Sequence, residues 1–282
     1  AAPKAEYQEK DNVNESQLEM LEKLELSQEE YLEVKKYAED LGLEVFSTPF
    51  DLVGVDFLET MNMPIYKIAS FEINDIPLIR YVAKKHKPMI ISTGVADLDD
   101  IQLALDTCYK EGNYDISLLK CTSEYPATYE QANLLTIPDM IHRFGIPVGV
   151  SDHTMGSLVP IVAVSLGATI VEKHFILSRT NGGPDSAFSM EPNEFREMVD
   201  SIRNVERALG NVKYDITDYQ RGKRRSLYAR TDIHCGDVFT DQNVGSYRPG
   251  VGLSPQYWDQ IMGKTCKREI VKGDVLRQED LK

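Results

Sequence analysis

Six short apolar runs, each ending in hydrogen-bonding or ionisable residues, recur through the first two thirds of the chain. They are Val45–Pro49, Ile65–Ser70, Met89–Thr93, Ile116–Thr122, Val148–Asp152 and Ile170–Phe175. Successive ends, taken at Pro49, Ser70, Thr93, Thr122, Asp152 and His174, lie 21 to 30 residues apart. Each interval holds one strand, one helix and two short loops, which predicts parallel strands. The runs are apolar on both faces, so both faces of the sheet are expected to be covered. Their polar residues gather at one end of every run, the rim where a closed (β/α)8 barrel collects its chemistry. An open doubly wound sheet concentrates its site at one switch point, usually behind a Gly-rich first turn, and no GxGxxG or GxxxxGK[ST] occurs here. The expected fold is therefore an α/β (TIM) barrel. Only six strand–helix units are visible where the barrel needs eight, and the chain opens Ala1-Ala2-Pro3-Lys4 without a methionine. The expectation is that the first two strands lie upstream of residue 1.

Two of these tips carry histidine: Val148-Gly149-Val150-Ser151-Asp152-His153-Thr154 and Ile170-Val171-Glu172-Lys173-His174-Phe175. Imidazoles on such tips can share one divalent cation. The plainer alternative is a pair of core histidines satisfied by backbone groups; the pairing in this context favours a catalytic site.

Helix signals fit the same frame. Ser27-Gln28-Glu29-Glu30 has the form of a capping box, Tyr31, Val34, Ala38 and Leu41 form an apolar stripe, and Gly42 supplies a stop. Pro192 to Leu209 reads as the barrel's last helix, ended by Gly210. Residues 1–25 are polar and acidic and read as a long loop with some helix.

A formal net charge of −14 argues against a nucleic-acid partner or an anionic membrane surface. No run approaches the roughly 18 apolar residues of a membrane span. Cys108, Cys121, Cys235 and Cys266 show no CxxC or zinc-like spacing, which suits reduced thiols in a cytoplasm.

Residues 1–210 are read as the catalytic domain, 211–224 as a linker containing the basic run Arg221–Arg225, and 225–282 as a small β-rich domain. Within that domain, residues 232–244 reappear 37 positions later as 269–281. Each copy is expected to form a strand, a Gly-containing turn, a second strand and a short helical cap. A short helix is expected between them, from about Ser254 to Met262.

Six motifs in this order and spacing resemble the sialic acid (nonulosonate) synthase family. They are Tyr66-Lys67-Ile68-Ala69-Ser70-Phe71-Glu72, Ser92-Thr93-Gly94, Lys120-Cys121-Thr122-Ser123-Glu124-Tyr125-Pro126, Ser151-Asp152-His153-Thr154, Glu172-Lys173-His174-Phe175, and Gly183-Pro184-Asp185-Ser186-Ala187-Phe188-Ser189. The terminal repeat is similar to the family's C-terminal SAF, or antifreeze-like, domain. The resemblance implies condensation of phosphoenolpyruvate with an N-acetylated six-carbon aldose, giving a nine-carbon 2-keto acid sugar and phosphate. The Lys-Ile-Ala-Ser-Phe-Glu form is similar to the pseudaminic acid branch, whose acceptor is a 2,4-diacetamido-2,4,6-trideoxy-altrose. The opening residues 2–8 and 15–17 look more like the neuraminate and legionaminate branch, and an acceptor of the N-acetylmannosamine type is the alternative. The acceptor stays open, with the pseudaminate precursor favoured.

The resemblance also implies roles. His153 and His174 would hold a divalent ion, manganese first, with magnesium or cobalt as alternatives. Lys67, Ser70, Ser92, Ser123 and Ser151 match phosphoenolpyruvate-binding positions, Ser123 departing from an asparagine sometimes found there. Glu72, Tyr125 and Asp185 match sugar contacts. Phe71, where a glycine is common, would offer apolar surface to a methyl group. Lys67, Glu72, His153 and His174 are the expected catalytic set. Arg248, in Arg-Pro-Gly, matches an arginine that reaches into the partner subunit's barrel, implying a domain-swapped homodimer. A second family lysine and a glutamate would lie before residue 1. Asp152 and Glu172 are read either as orienting partners for the histidines or as carboxylates in salt bridges. Two other functions remain: a keto-deoxy sugar phosphate synthase, against which the SAF-like domain argues, and an inactive, sugar-binding fragment whose unpaired strand edges would promote aggregation.

Overall fold

A computed structural model describes residues 23–281. The chain divides into two compact units, 1–210 and 211–282. The first holds five parallel strands, β1 (Tyr66–Ile68), β2 (Met89–Ser92), β3 (Ile116–Cys121), β4 (Val148–Asp152) and β5 (Val171–Lys173), paired in sequence order. The sixth expected strand, Val45–Pro49, is reduced to a single parallel bridge between Ser47 and Tyr66. Pro49 lacks the N–H that a longer ladder would need.

Helices α1 (Gln28–Asp40), α2 (Leu52–Thr60), α3 (Ile76–Ala83), α4 (Leu98–Lys110), α5 (Thr136–Phe144), α6 (Leu158–Ser165) and α7 (Pro192–Leu209) belong to this unit. The capping box at Ser27 and Glu30 forms as its spacing predicts. Pro192 opens α7 and Gly210 follows its end. The opening segment that bears on the choice of acceptor lies outside the described residues.

Strand alternation divides the chemistry. Tyr66, Ile68, Met89, Ile91, Ile116, Leu118, Val148 and Val150 pack with Val55, Leu78, Ile79, Val82, Ile101, Leu105, Ile137 and Met140 from the helices. By register, Lys67, Ser92, Cys121, Ser151 and Glu172 share the other face. A flat sheet would hold β1 and β5 about 19 Å apart, at about 4.8 Å per strand. Yet Lys67 Nζ lies 3.2 Å from Glu172 Oε2. The five strands curl into a half-barrel, and the shared face is its concave side.

The second unit contains helix α8 (Asp218–Gly222), β6 (Ser226–Ala229) antiparallel to β7 (Val244–Tyr247), and α9 (Trp258–Ile261). A 3-10 turn at Pro255–Tyr257 precedes α9, so the helix expected near Ser254–Met262 is present in two pieces. Part of the expected linker is thus helical, with Thr217 and Gln220 forming its capping box. The 37-residue repeat is a pseudo-twofold. Ile233 and Ile270, equivalent residues, exchange both backbone hydrogen bonds at 2.9 Å, and the bridges Tyr228–Val275 and Val238–Thr265 are each other's images. Gly236 and Gly273 supply matching turns at φ 97° and 92°, a region open to glycine. The copies therefore pair with each other across this axis instead of each closing its own hairpin. Among the described residues no helix is long and apolar enough to cross a membrane.

Candidate active site

Every strand of the half-barrel delivers a polar residue to its C-terminal rim. Lys67 is buried, and its ammonium pairs with Glu172. The same carboxylate accepts a 2.6 Å hydrogen bond from Ser151 Oγ. Ser70 begins a 3-10 turn immediately beyond β1 and accepts a 2.9 Å hydrogen bond from the Gly94 amide. Cys121 Sγ lies 3.7 Å from Ser123 Oγ. Ser92 is 2% exposed, and its hydroxyl has no hydrogen-bond partner among the described residues. A buried hydroxyl left without a partner costs free energy unless a ligand supplies one. Of the four serines expected around phosphoenolpyruvate, Ser92 and Ser151 thus share the concave face with Lys67, and Ser70 and Ser123 lie beyond the strand ends around Gly94.

The two histidines meet as the spacing requires. Their ring centroids are 5.2 Å apart. His153 Nδ1 lies 2.7 Å from the Thr122 carbonyl oxygen, which only accepts. Nδ1 therefore carries a hydrogen directed at that oxygen. Burial disfavours a charged His153, but its hydrogen bonds to Cys121 and Thr122 raise its pKa overall. His174 Nδ1 lies 3.4 Å from Asp185 Oδ2. Burial lowers the His174 pKa against the pull of Asp185, favouring the neutral imidazole that binds metal. The Cys121 thiol is shifted down to about 7: burial opposes the shift, but the polar contacts of His153, Ser70 and Ser151 with the sulfur outweigh it.

Among the described residues no group of three or more His, Cys, Asp and Glu is arranged to hold a metal. The donor set that fits is the pair of imidazoles, one oriented by the Thr122 carbonyl and the other held neutral by burial. Such a set leaves positions for water and substrate oxygen.

Asp152 and Glu172 are paired with Lys173 and Lys67. The groups next to the histidine ring nitrogens are the Thr122 carbonyl and Asp185, so Asp185, expected as a sugar contact, faces His174. Tyr125 lies over His153 at a centroid distance of 4.2 Å. Phe188, which was quoted in a motif without a role, stands 5.0 Å from His174 and 5.7 Å from Tyr125. It builds an aromatic wall that only tertiary proximity identifies. Glu72 holds a buried Oε2 without a hydrogen-bond partner among the described residues, and burial raises its pKa. Phe71 beside it is 58% exposed. Arg248 belongs to the second unit, where it is exposed and lines a cavity of about 390 Å³ with Tyr228, Arg230, Tyr247 and Lys272.

A curled parallel sheet whose rim combines two imidazoles with a lysine and a set of hydroxyls defines a barrel-type enzyme site for an anionic substrate. The chain matches the NeuB family over residues 1–214 and a SAF domain over 224–282. It belongs to the NeuB family. It is 40% identical to the pseudaminic acid synthase of Helicobacter pylori, over 93% of this chain and 78% of that protein. Identity to the N,N'-diacetyllegionaminic acid synthase of Legionella pneumophila is 38%, over 99% of this chain and 81% of that protein. The crystal structure of N-acetylneuraminic acid (sialic acid) synthetase from Leptospira borgpetersenii, in complex with citrate, superposes with a TM-score of 0.70. That match is 30% identical and covers 76% of this chain and 75% of that one.

Proposed function

We propose that this protein is a transferase that condenses phosphoenolpyruvate with an acetamido six-carbon aldose, releasing phosphate and forming a nine-carbon 2-keto acid sugar. The observation that carries the reading is the convergence of His153 and His174, at 5.2 Å, on the rim that also holds Lys67 and the serines. In this reaction C3 of the enol attacks the aldehyde carbon. Water then adds at C2, and phosphate leaves from the resulting tetrahedral centre.

Lys67 holds the phosphate or carboxylate of phosphoenolpyruvate, exchanging its contact with Glu172 for the ligand. The hydroxyls of Ser70, Ser92, Ser123 and Ser151 complete that pocket. His153 and His174 hold a divalent cation, manganese in our reading. When bound, that ion supplies Lewis-acid polarisation of the aldehyde oxygen. Glu72 and Asp185 accept from the sugar's hydroxyl or amide groups, and the rings of Tyr125 and Phe188 exclude water from one side.

The acceptor we favour is the 2,4-diacetamido-2,4,6-trideoxy sugar. Its methyl group suits the apolar face that Phe71 exposes, and the H. pylori relative at 40% identity supports the same branch. We assign the reaction to the cytoplasm, where phosphoenolpyruvate is made. We also assign the chain to a domain-swapped homodimer in which Arg248 serves the partner's barrel. Phosphate release with manganese, measured against a panel of acetamido hexoses, tests the proposal. Turnover is expected with the 6-deoxy diacetamido sugar and lost in His153→Ala. Release from phosphorylated sugars alone would refute it.

A further inference from the structure

The ladder between β4 and β5 ends at Asp152 opposite Lys173. His153 and His174 are the next residues on the two strands, one step past that rung, where the ladder no longer sets their separation. Side chains close the last rung instead. Lys173 Nζ lies 2.6 Å from Asp152 Oδ2, and the two side chains are 1% and 2% exposed. The same ammonium donates to the Thr154 carbonyl. Asp152 in turn accepts from the Thr154 amide at 2.9 Å and from its hydroxyl at 3.1 Å. The residues on both sides of His153 are therefore gripped by the residue that precedes His174. Because side chains alternate across a strand, this pair lies on the face away from the imidazoles and takes no space from the site.

We infer that Asp152 and Lys173 are positioning residues whose ion pair sets the spacing of His153 and His174 for a shared cation. The inference rests on the reading of those histidines as the cation's ligands. Two apolar residues of similar volume commonly replace a buried ion pair without loss of stability. What they would not replace is the tie from β5 to both neighbours of His153.

Manganese binding to the whole chain, followed as loss of the free-ion electron paramagnetic resonance signal, tests this. The parent and His153→Ala come first: equal binding by the two, or no binding by the parent, would refute the histidine reading itself. Given a parent that binds and a His153→Ala that does not, Lys173→Met is expected to weaken affinity about 10–100-fold, the usual cost of losing support behind a metal ligand. Asp152→Leu combined with Lys173→Met removes the orphaned buried charge. It is expected to recover the parent's melting temperature but not its manganese affinity. Affinity within about threefold of the parent in either folded variant overturns the inference, against the tenfold or greater loss expected. So does loss of the fold in both, which would make the pair a general stability element.

Discussion

Gly94 has no side chain because three others already occupy its place. A Cβ there would sit 2.2 Å from Ser123 Oγ and 2.9 Å from both Cys121 Sγ and Ser70 Oγ. The constraint is one of space: the glycine lets the side chains of Ser70, Cys121 and Ser123 close together while its amide donates to Ser70. Gly94→Ala is expected to prise that nest apart and raise the KM for phosphoenolpyruvate about tenfold, within the 1–3 kcal/mol of an overpacked site. Steady-state kinetics with phosphoenolpyruvate varied check this, and an unchanged KM would contradict it. His153, His174 and Lys67 were legible in the sequence, because an ionisable residue at the end of a buried apolar run is costly unless something satisfies it. Phe188 and the Thr122 carbonyl were not. An aromatic in a loop reads as ordinary packing, and a backbone carbonyl leaves no trace in residue identity.

At the scale of elements, the segment after β5 is tied to its surroundings by a few polar contacts. Arg179 reaches α7 with two hydrogen bonds to Glu194, at 2.6 and 2.8 Å, and a third to the Ser189 carbonyl at 3.1 Å. It thereby anchors the stretch that carries Asp185 and Phe188. The hydrogen bond from Arg179, followed by the Glu191 amide, holds the Glu194 carboxyl at about 2. Because that folded value lies below the ordinary carboxylate value, the stabilisation is present above pH about 4.5 and is lost as pH falls toward 2. Both side chains are about a third or more exposed, so screening limits the effect to about 1 kcal/mol or less. Urea midpoints between pH 5 and 2.5 should fall less steeply in Glu194→Gln than in the parent; parallel curves would contradict this. Elements with local signatures, such as the capping box of α1 and the Pro–Gly bounds of α7, were legible in advance. The Val45–Pro49 run was not, because an apolar pattern does not tell how many ladder bonds its neighbour will accept.

At the scale of the whole molecule, the core between sheet and helices and the core within the repeat are separate clusters. In the second, Phe239 is fully buried with Leu227, Val244, Ile261, Ile270 and Leu276. Phe239→Ala should destabilise that unit by about 3–5 kcal/mol. Chemical denaturation followed by amide exchange should find the loss in residues 211–281 and leave the exchange of β2 and β3 unchanged.

Sequence by itself determined the parallel α/β plan, the order of the strands, the rim that bears chemistry and the 37-residue repeat. Each is a matter of periodicity or of local polarity, which short-range forces impose on the chain. Tertiary structure alone decided which residues meet: Lys67 with Glu172 across the curl, Asp152 with Lys173 behind the histidines, and one repeat copy with the other. Those choices depend on how far the sheet bends and on which side chains it brings within a few ångströms, and no local pattern encodes a distance between residues remote in the chain.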